Sequence, residues 1–376
     1  MSIATTKVAP TSKTWRRIRI GEWLLLYALS IFGALLIAGT LVEATGGDWL
    51  PVLSALLDGS VRRPGRWGET LGVAGPLLLV ALGTVVSSKA GLVNIGQEGQ
   101  LLFGAAVATY FSFLIGGPGP LNVVLILLFG AIGGAAWAGI AAGLLYWRGV
   151  PEVLSTLLLV TVSTQTVAYG MRWEWLLLAP QSSRGNRNQV SEQLASNNRL
   201  PRPEIFGNEF PLTVYIGVVL ALLLAFGLGR TVWGLRLRLL GHNPRAAKRC
   251  GVSEKTFGVG ALMISGGFAG LAGGAMLAGG GFSFGNYQFM SGFSDNIGWT
   301  GLLVALVARE RVLLAVPIAF VFACLRTGSS FVGSTGVEGR ITDVIQGLLV
   351  LALLIPPAVM LLRNIRRAKA AATVRV

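Results

Sequence analysis

Residues 121–146 read LNVVLILLFGAIGGAAWAGIAAGLLY, with no Asp, Glu, Lys or Arg from one end to the other. Roughly 20 such residues cross a hydrocarbon core as a helix, and a helix satisfies its own backbone hydrogen bonds there. The stretch also carries Gly130, Gly134, Ala138 and Ala142 at every fourth position, so one face is nearly smooth and a second backbone can come close. Gly266, Gly270, Gly274 and Ala278 repeat the device further along. Static helix contact and sliding during a conformational change both need such a face.

The rest of the chain has the same character. Of its residues 53% are hydrophobic and 12% charged, against about a quarter charged in a soluble domain. Hydropathy predicts ten membrane segments, near residues 23–42, 71–86, 99–116, 121–146, 153–171, 212–229, 257–280, 297–308, 312–325 and 341–362. Arg309, Glu310 and Arg311 divide 297–325 in two, because three ionised groups at mid-bilayer are costly. With the amino terminus inside, about two-thirds of the 31 Lys and Arg residues fall on the cytoplasmic side, and the acidic residues run the other way.

The expected architecture is therefore an all-α polytopic membrane protein with about ten transmembrane helices and both termini cytoplasmic. A basic segment, 1–22, precedes a transmembrane domain, 23–362, and a basic tail, 363–376, follows it. The first apolar run is too long for a signal peptide and lacks a small-residue cleavage site, so it is expected to stay as an anchor. A polar outer loop spans 172–211 and a basic cytoplasmic loop spans 230–256. The outer loop is either a connector or a docking face.

The net charge of +15 is explained by basic residues flanking helices where anionic lipid headgroups lie. Membrane lipid is thus the expected partner of this charge, and nucleic acid is not, since no separate basic domain exists to carry it. Cys250 and Cys324 fall in a basic loop and an apolar segment, which suggests neither a disulfide framework nor a metal cluster. His242 is the single histidine, so no His-based metal site or Ser-His pair is available. There is no G-x-x-x-x-G-K-[ST], hence no phosphate-cradling loop for ATP. Ion-coupled secondary transport would need acidic groups inside the helices, and only the marginal Asp343 qualifies. A membrane-embedded enzyme lacks a paired nucleophile and base.

Two polar, glycine-containing stretches interrupt the apolar pattern, Ser87–Gln100 and Gly281–Asn296. They lie five segments apart. An odd offset puts equivalent segments in opposite orientation, as in an inverted repeat whose broken helices line a pathway near the midplane; ordinary interfacial loops are the alternative. In the first stretch Asn94, Gln97, Glu98 and Gln100 offer amide and carboxylate groups suited to sugar hydroxyls or base edges. In the second, Asn286, Tyr287, Phe293 and Asp295, with Phe282, Phe284, Gln288 and Phe289, either stack and bond a ligand or form an interfacial aromatic belt.

Gly91–Gln100, GLVNIGQEGQ, resembles the GLFNIGAEGQ signature of permeases in the nucleoside and simple-sugar branch of the ABC importers, which also takes in branched-chain amino acid permease-like proteins. Further stretches are similar in the same order, so the resemblance spans roughly residues 70–355. Glu152–Thr156, EVLST, is similar to the family's EVIST, with Val160 where the family usually has Asn. Asp295–Leu306, DNIGWTGLLVAL, matches F-D-x-I-A-V-A-L-L-G more loosely, interrupted by Trp299 and Thr300. Gly234–Gly251, GLRLRLLGHNPRAAKRCG, is similar to G-x-x-x-R-A-V-G-E-N-P-x-A-A-x-x-x-G. There Asn243 can cap a short helix, Pro244 fits its first position and Gly251 can end it.

The resemblance implies a permease of the type II ABC importer kind in a bacterial cytoplasmic (inner) membrane, moving nucleosides or, alternatively, a simple sugar or other small polar solute. It implies that Gly241, Asn243, Pro244, Ala246, Ala247 and Gly251 form the element coupled to the ATPase; an amphipathic helix on lipid is the other reading of the same residues. It implies as partners ABC ATPase subunits, a second and different permease subunit, and an extracytoplasmic substrate-binding protein. The chain itself is expected to bind no cofactor, with ATP and magnesium used by the partner ATPase.

Overall fold

A computed structural model describes residues 12–114, 119–180, 189–205, 207–280 and 286–336, with scattered positions between 343 and 363. The fold is all-α. Its helices are α1 (Ser12–Ala44), α2 (Trp49–Leu57), α3 (Arg66–Lys89), α4 (Gln97–Leu114), α5 (Gly119–Arg148), α6 (Glu152–Gly170), α7 (Leu212–Arg230), α8 (Val232–His242), α9 (Pro244–Arg249), α10 (Glu254–Gly279), α11 (Ile297–Val307) and α12 (Val312–Val332). A two-residue hairpin, β1 (Glu204–Ile205) and β2 (Asn208–Glu209), lies in the loop before α7.

Among the described residues six helices are long and apolar enough to cross a membrane: α3, α5, α6, α7, α10 and Val312–Thr335. The expected count of ten is not reproduced by length and apolarity, for local reasons. The eleven residues of α11 make a partial span, and α4 opens on the polar run Gln97–Gln100. Of the first and last expected segments, only Phe32–Ala44 registers as a shorter apolar helix, and 341–362 lies largely outside the described residues. The basic tail 363–376 lies outside them almost entirely. The division of 297–325 does occur: residues 308–311 turn between α11 and α12, with Arg309 and Glu310 at φ 54° and 55°.

The chain forms two compact units, residues 1–55 with 331–376, and residues 56–330. In the first, Ala34, Ala38 and Val42 on α1 are buried, and Gly39 lies against the Trp49 ring. The second holds every candidate site residue. Its centre is α3 and α10, with 89% and 72% of their apolar windows buried, against about a third for α5, α6 and α7. Leu154 and Leu158 on α6 and Leu222 and Phe226 on α7 are exposed, the surface expected of helices that meet lipid.

The two smooth faces meet each other. Gly134 lies against the backbone of Gly266 and Gly270, Gly130 against Gly270 and Gly274, and Gly266 against Ala138. Higher numbers on one helix face lower numbers on the other, so α5 and α10 pack antiparallel with backbones in contact. Likewise α3 runs against α10, with Gly83 at Ser265 and Gly75 near Thr213, which itself touches Gly279. By contrast α11 runs along α3, with Gly301 against Leu77 and Val80 and Glu310 paired to Lys89.

Candidate functional site

The signature turn begins where α3 ends. Gly91 takes φ 79°, a left-handed conformation that glycine adopts without Cβ strain, and Leu92 N–H donates back to the Ser87 carbonyl at 3.0 Å. Asn94 then makes an Asx-type turn, its Oδ1 accepting from Gly96 N at 3.1 Å, and α4 starts at Gln97. The side chains close a network. Asn94 Nδ2 donates to Gln100 Oε1 at 2.8 Å and to Ser265 Oγ at 2.9 Å, while Gln100 Nε2 donates to Asn94 Oδ1 at 3.0 Å. Gln97 Nε2 reaches Ser265 Oγ at 3.1 Å, and Thr84 Oγ1 donates to Gln97 Oε1 at 2.9 Å.

Asn94, Gln97 and Gln100 are 0–1% exposed, so in this conformation their amides are spent on holding the turn to α3 and α10. A buried amide satisfied in this way is expensive to unpair for a ligand. The fourth member behaves differently. Glu98, 8% exposed, accepts from Asn296 N at 3.2 Å and from Gly298 N at 2.7 Å. Its carboxylate therefore caps α11 from the first turn of α4, and the two polar breaks, five segments apart in sequence, meet in space. Gly298 has to be glycine for this approach, since a Cβ there would strike the Glu98 backbone.

From Asn286 onward, the second break is joined to the loop before α7. Ser191 N donates to the Phe289 carbonyl at 2.8 Å and Leu194 N to the Tyr287 carbonyl at 2.9 Å. Phe289 and Phe293 are buried with ring centroids 4.9 Å apart. Arg199 stacks on the Tyr287 ring at 4.0 Å, a cation–π contact. Asn286 and Asp295 are exposed, and Asp295 pairs with Arg326 at 2.6 Å. Of the residues predicted here, Asn286 presents an open polar group; Tyr287, Phe293 and Asp295 are engaged within the protein. Phe282 and Phe284 fall outside the described residues.

At the Lys89 end, α8 and α9 form a helical corner. Asn243 Oδ1 accepts from Ala246 N at 3.1 Å, Pro244 is the first residue of α9, and Gly251 leaves it at φ 75°. Ala247 is buried, whereas Asn243, Pro244, Arg245, Lys248 and Arg249 are exposed. Gly241 lies on the backbone of Lys89, Ala90 and Gly91, too close to admit a Cβ. The corner thus rests directly on the signature turn. Among the described residues no three His, Cys, Asp or Glu side chains gather as a metal site requires.

A family model described as branched-chain amino acid transport system / permease component matches residues 68–354. The chain belongs to this permease family. It is 29% identical over 336 residues to the glucose ABC transporter permease protein TsgB13 of Haloferax volcanii, covering 87% of this chain and 86% of that one. It is 28% identical over 330 residues to the guanosine ABC transporter permease protein NupP of Bacillus subtilis, with 84% and 89% covered. Similarity to the nucleoside ABC transporter permease protein NupB of Lactococcus lactis subsp. cremoris is 27% over 293 residues, with 75% and 77% covered.

One feature of the permease escaped the sequence reading. The inner face of α6 seats the signature turn: Thr156 Oγ1 accepts from Ile95 N at 3.3 Å, Ser163 Oγ donates to the Gly99 carbonyl at 2.7 Å, and Gly99 lies against Val160. On the opposite side Thr161, Thr164, Gln165 and Thr166 are exposed in mid-helix. Thr164 and Thr166 return their hydroxyls to the Val160 and Val162 carbonyls, which lipid tolerates. A Gln165 carboxamide facing hydrocarbon would cost a few kcal/mol. The run TVSTQT at 161–166 was the available signal, a polar cluster inside an apolar segment.

Proposed function

We propose that this permease is the membrane subunit of an ABC importer of nucleosides, working by alternating access with ATP hydrolysed by a partner subunit. The observation that carries the reading is the seating of Gly241 on Lys89–Gly91, which connects an exposed capped helix to the turn from which both broken helices are held. Force applied at Pro244–Arg249 by an ATPase closing on nucleotide would reach that turn without passing through a flexible linker. Gly241, Asn243, Pro244, Ala246, Ala247 and Gly251 are assigned to this coupling element.

The translocation route is placed on the exposed face of α6 at Thr161 and Gln165. A polar face at that depth calls for water or a second permease subunit rather than lipid. Asn94, Gln97 and Gln100 support that face from behind. A cytoplasmic membrane location with both termini inside is supported by the Lys and Arg bias; Lys89, Arg148, the α8–α9 corner and Arg309 all come at one set of helix ends. ATP and magnesium belong to the partner ATPase, and a substrate-binding protein would deliver to the opposite face, where the loop 189–211 lies.

The nucleoside choice is supported by the guanosine and nucleoside permeases among the relatives, and the glucose permease makes a simple sugar the competing substrate. Uptake of labelled guanosine and glucose in a strain lacking this permease decides between them: a guanosine defect restored by the gene is expected, and an intact guanosine uptake with lost glucose uptake reverses the assignment. Pro244→Arg and Ala246→Arg should abolish ATPase assembly or stimulation. Wild-type stimulation by both variants would remove the coupling assignment.

A further inference from the structure

We infer that α11 is strapped at both ends to the α3–α4 unit and is carried with it as one body during transport, with Glu98 as the positioning residue at the upper strap. The inference rests on the coupling reading above and deepens it. Three observations locate the straps. Both Glu98 carboxylate oxygens take backbone donors at the start of α11, from Asn296 at 3.2 Å and Gly298 at 2.7 Å. In mid-helix Gly301 admits the Val80 side chain and the Leu77 carbonyl against its backbone. At the far end Lys89 Nζ lies 3.2 Å from Glu310 Oε2.

The backbone flanking α11 is suited to such a part. Asp295 and Asn296 before it take φ 42° and 61°, and Arg309 and Glu310 after it take 54° and 55°. Two consecutive left-handed non-glycine residues at each end persist only where surrounding contacts hold them. The Asn296 N–H, delivered by one such pair, is a Glu98 donor, and Glu310, in the other, is the Lys89 partner. A carboxylate at a helix N-terminus is favoured by the unsatisfied N–H groups and the helix dipole, and burial strengthens both effects.

The consequence is a mechanical route. Motion of the α8–α9 corner bears on Lys89–Gly91, and from there it reaches α11 by two paths, through Lys89 to Glu310 and through the turn to Glu98. Without the straps, α11 would respond only by packing.

The test uses the full importer reconstituted in liposomes, with ATP hydrolysis and substrate uptake measured together. Glu98→Ala should lower the substrate moved per ATP by about tenfold, the scale of one lost charge-assisted bond, and Glu98→Asp should restore part of it. Because Glu98→Ala threatens folding as well, the lower strap gives an independent arm: Lys89→Glu and Glu310→Lys should each reduce the transport-to-ATP ratio, and the double exchange should restore it. A wild-type ratio in Glu98→Ala, or two single exchanges without effect, would overturn the inference. A wild-type importer that shows no ATP-dependent uptake would instead indict the functional reading on which it rests.

Discussion

The α-carbons of Gly91 and Gly241 face each other across the junction between the signature turn and α8, so closely that a Cβ on Gly91 would lie 3.0 Å from the Gly241 α-carbon. One on Gly241 would lie 2.8 Å from Gly91 N and still closer to the Lys89 carbonyl. Two residues separated by 150 positions thereby place the helical corner of α8 and α9 in backbone contact with the turn that organises the centre of the fold. Gly241→Val should cost about 1–3 kcal/mol by overpacking. Its thermal midpoint in detergent should drop, whereas Gly251→Ala, strained only by its own φ of 75° with open space around it, should lose less.

The α5–α10 contact makes a sharper stability prediction. Gly270→Leu would drive a side chain into the Gly130 carbonyl and the Gly134 backbone, separating two helices whose attraction depends on close approach. Unfolded or unassembled protein is the expected result, read by size-exclusion yield. Gly139→Ala on α5 meets only Met263, at 3.8 Å, and should be neutral or gain about 0.5–1 kcal/mol of helix stability.

Asn94 and Gln165 separate the holding of the fold from the contact with solute. Asn94→Ala strands the Gln100 amide and Gly96 N inside the protein and should destabilise it by about 2–3 kcal/mol. Gln165→Leu removes an exposed amide, should leave the melting temperature unchanged or raised, and should raise the KM for uptake. Equal loss of stability in both variants would argue that α6 presents Gln165 to another part of the protein.

Tyr287→Ala deletes the ring on which Arg199 stacks and should loosen the 189–211 loop by about 0.5–1 kcal/mol. Limited proteolysis would then cut within this loop faster than in the wild type. Fold and helix content by circular dichroism should be unchanged.

Local chemistry was readable in advance. The helix positions of α3, α5, α6, α7 and α10, the turn at Arg309, and the α9 cap by Asn243 all depend on residues within a few positions of one another. Hydropathy, charge and side-chain capping report such neighbours directly. The two four-residue stripes announced that α5 and α10 had smooth faces, though not that they would face each other.

The meeting of the two breaks was not readable. Asn94, Gln97, Glu98 and Gln100 form a single polar run in sequence, and nothing in their spacing separates the three amides that turn inward, two of them to Ser265, from the carboxylate that reaches Gly298. The hydroxyl of Ser265 stands beside the Gly266 stripe of an apolar helix with no mark of its own, and the exposed side of α6 is defined only once its other side is occupied. Composition and pattern by themselves determined a multi-helix membrane protein, because burial in lipid constrains every residue of a span and leaves a periodic mark. Tertiary structure alone decided which polar groups are satisfied internally and which remain open, because hydrogen bonds such as Glu98 to Gly298 join residues 200 positions apart and depend on geometry that no local pattern encodes.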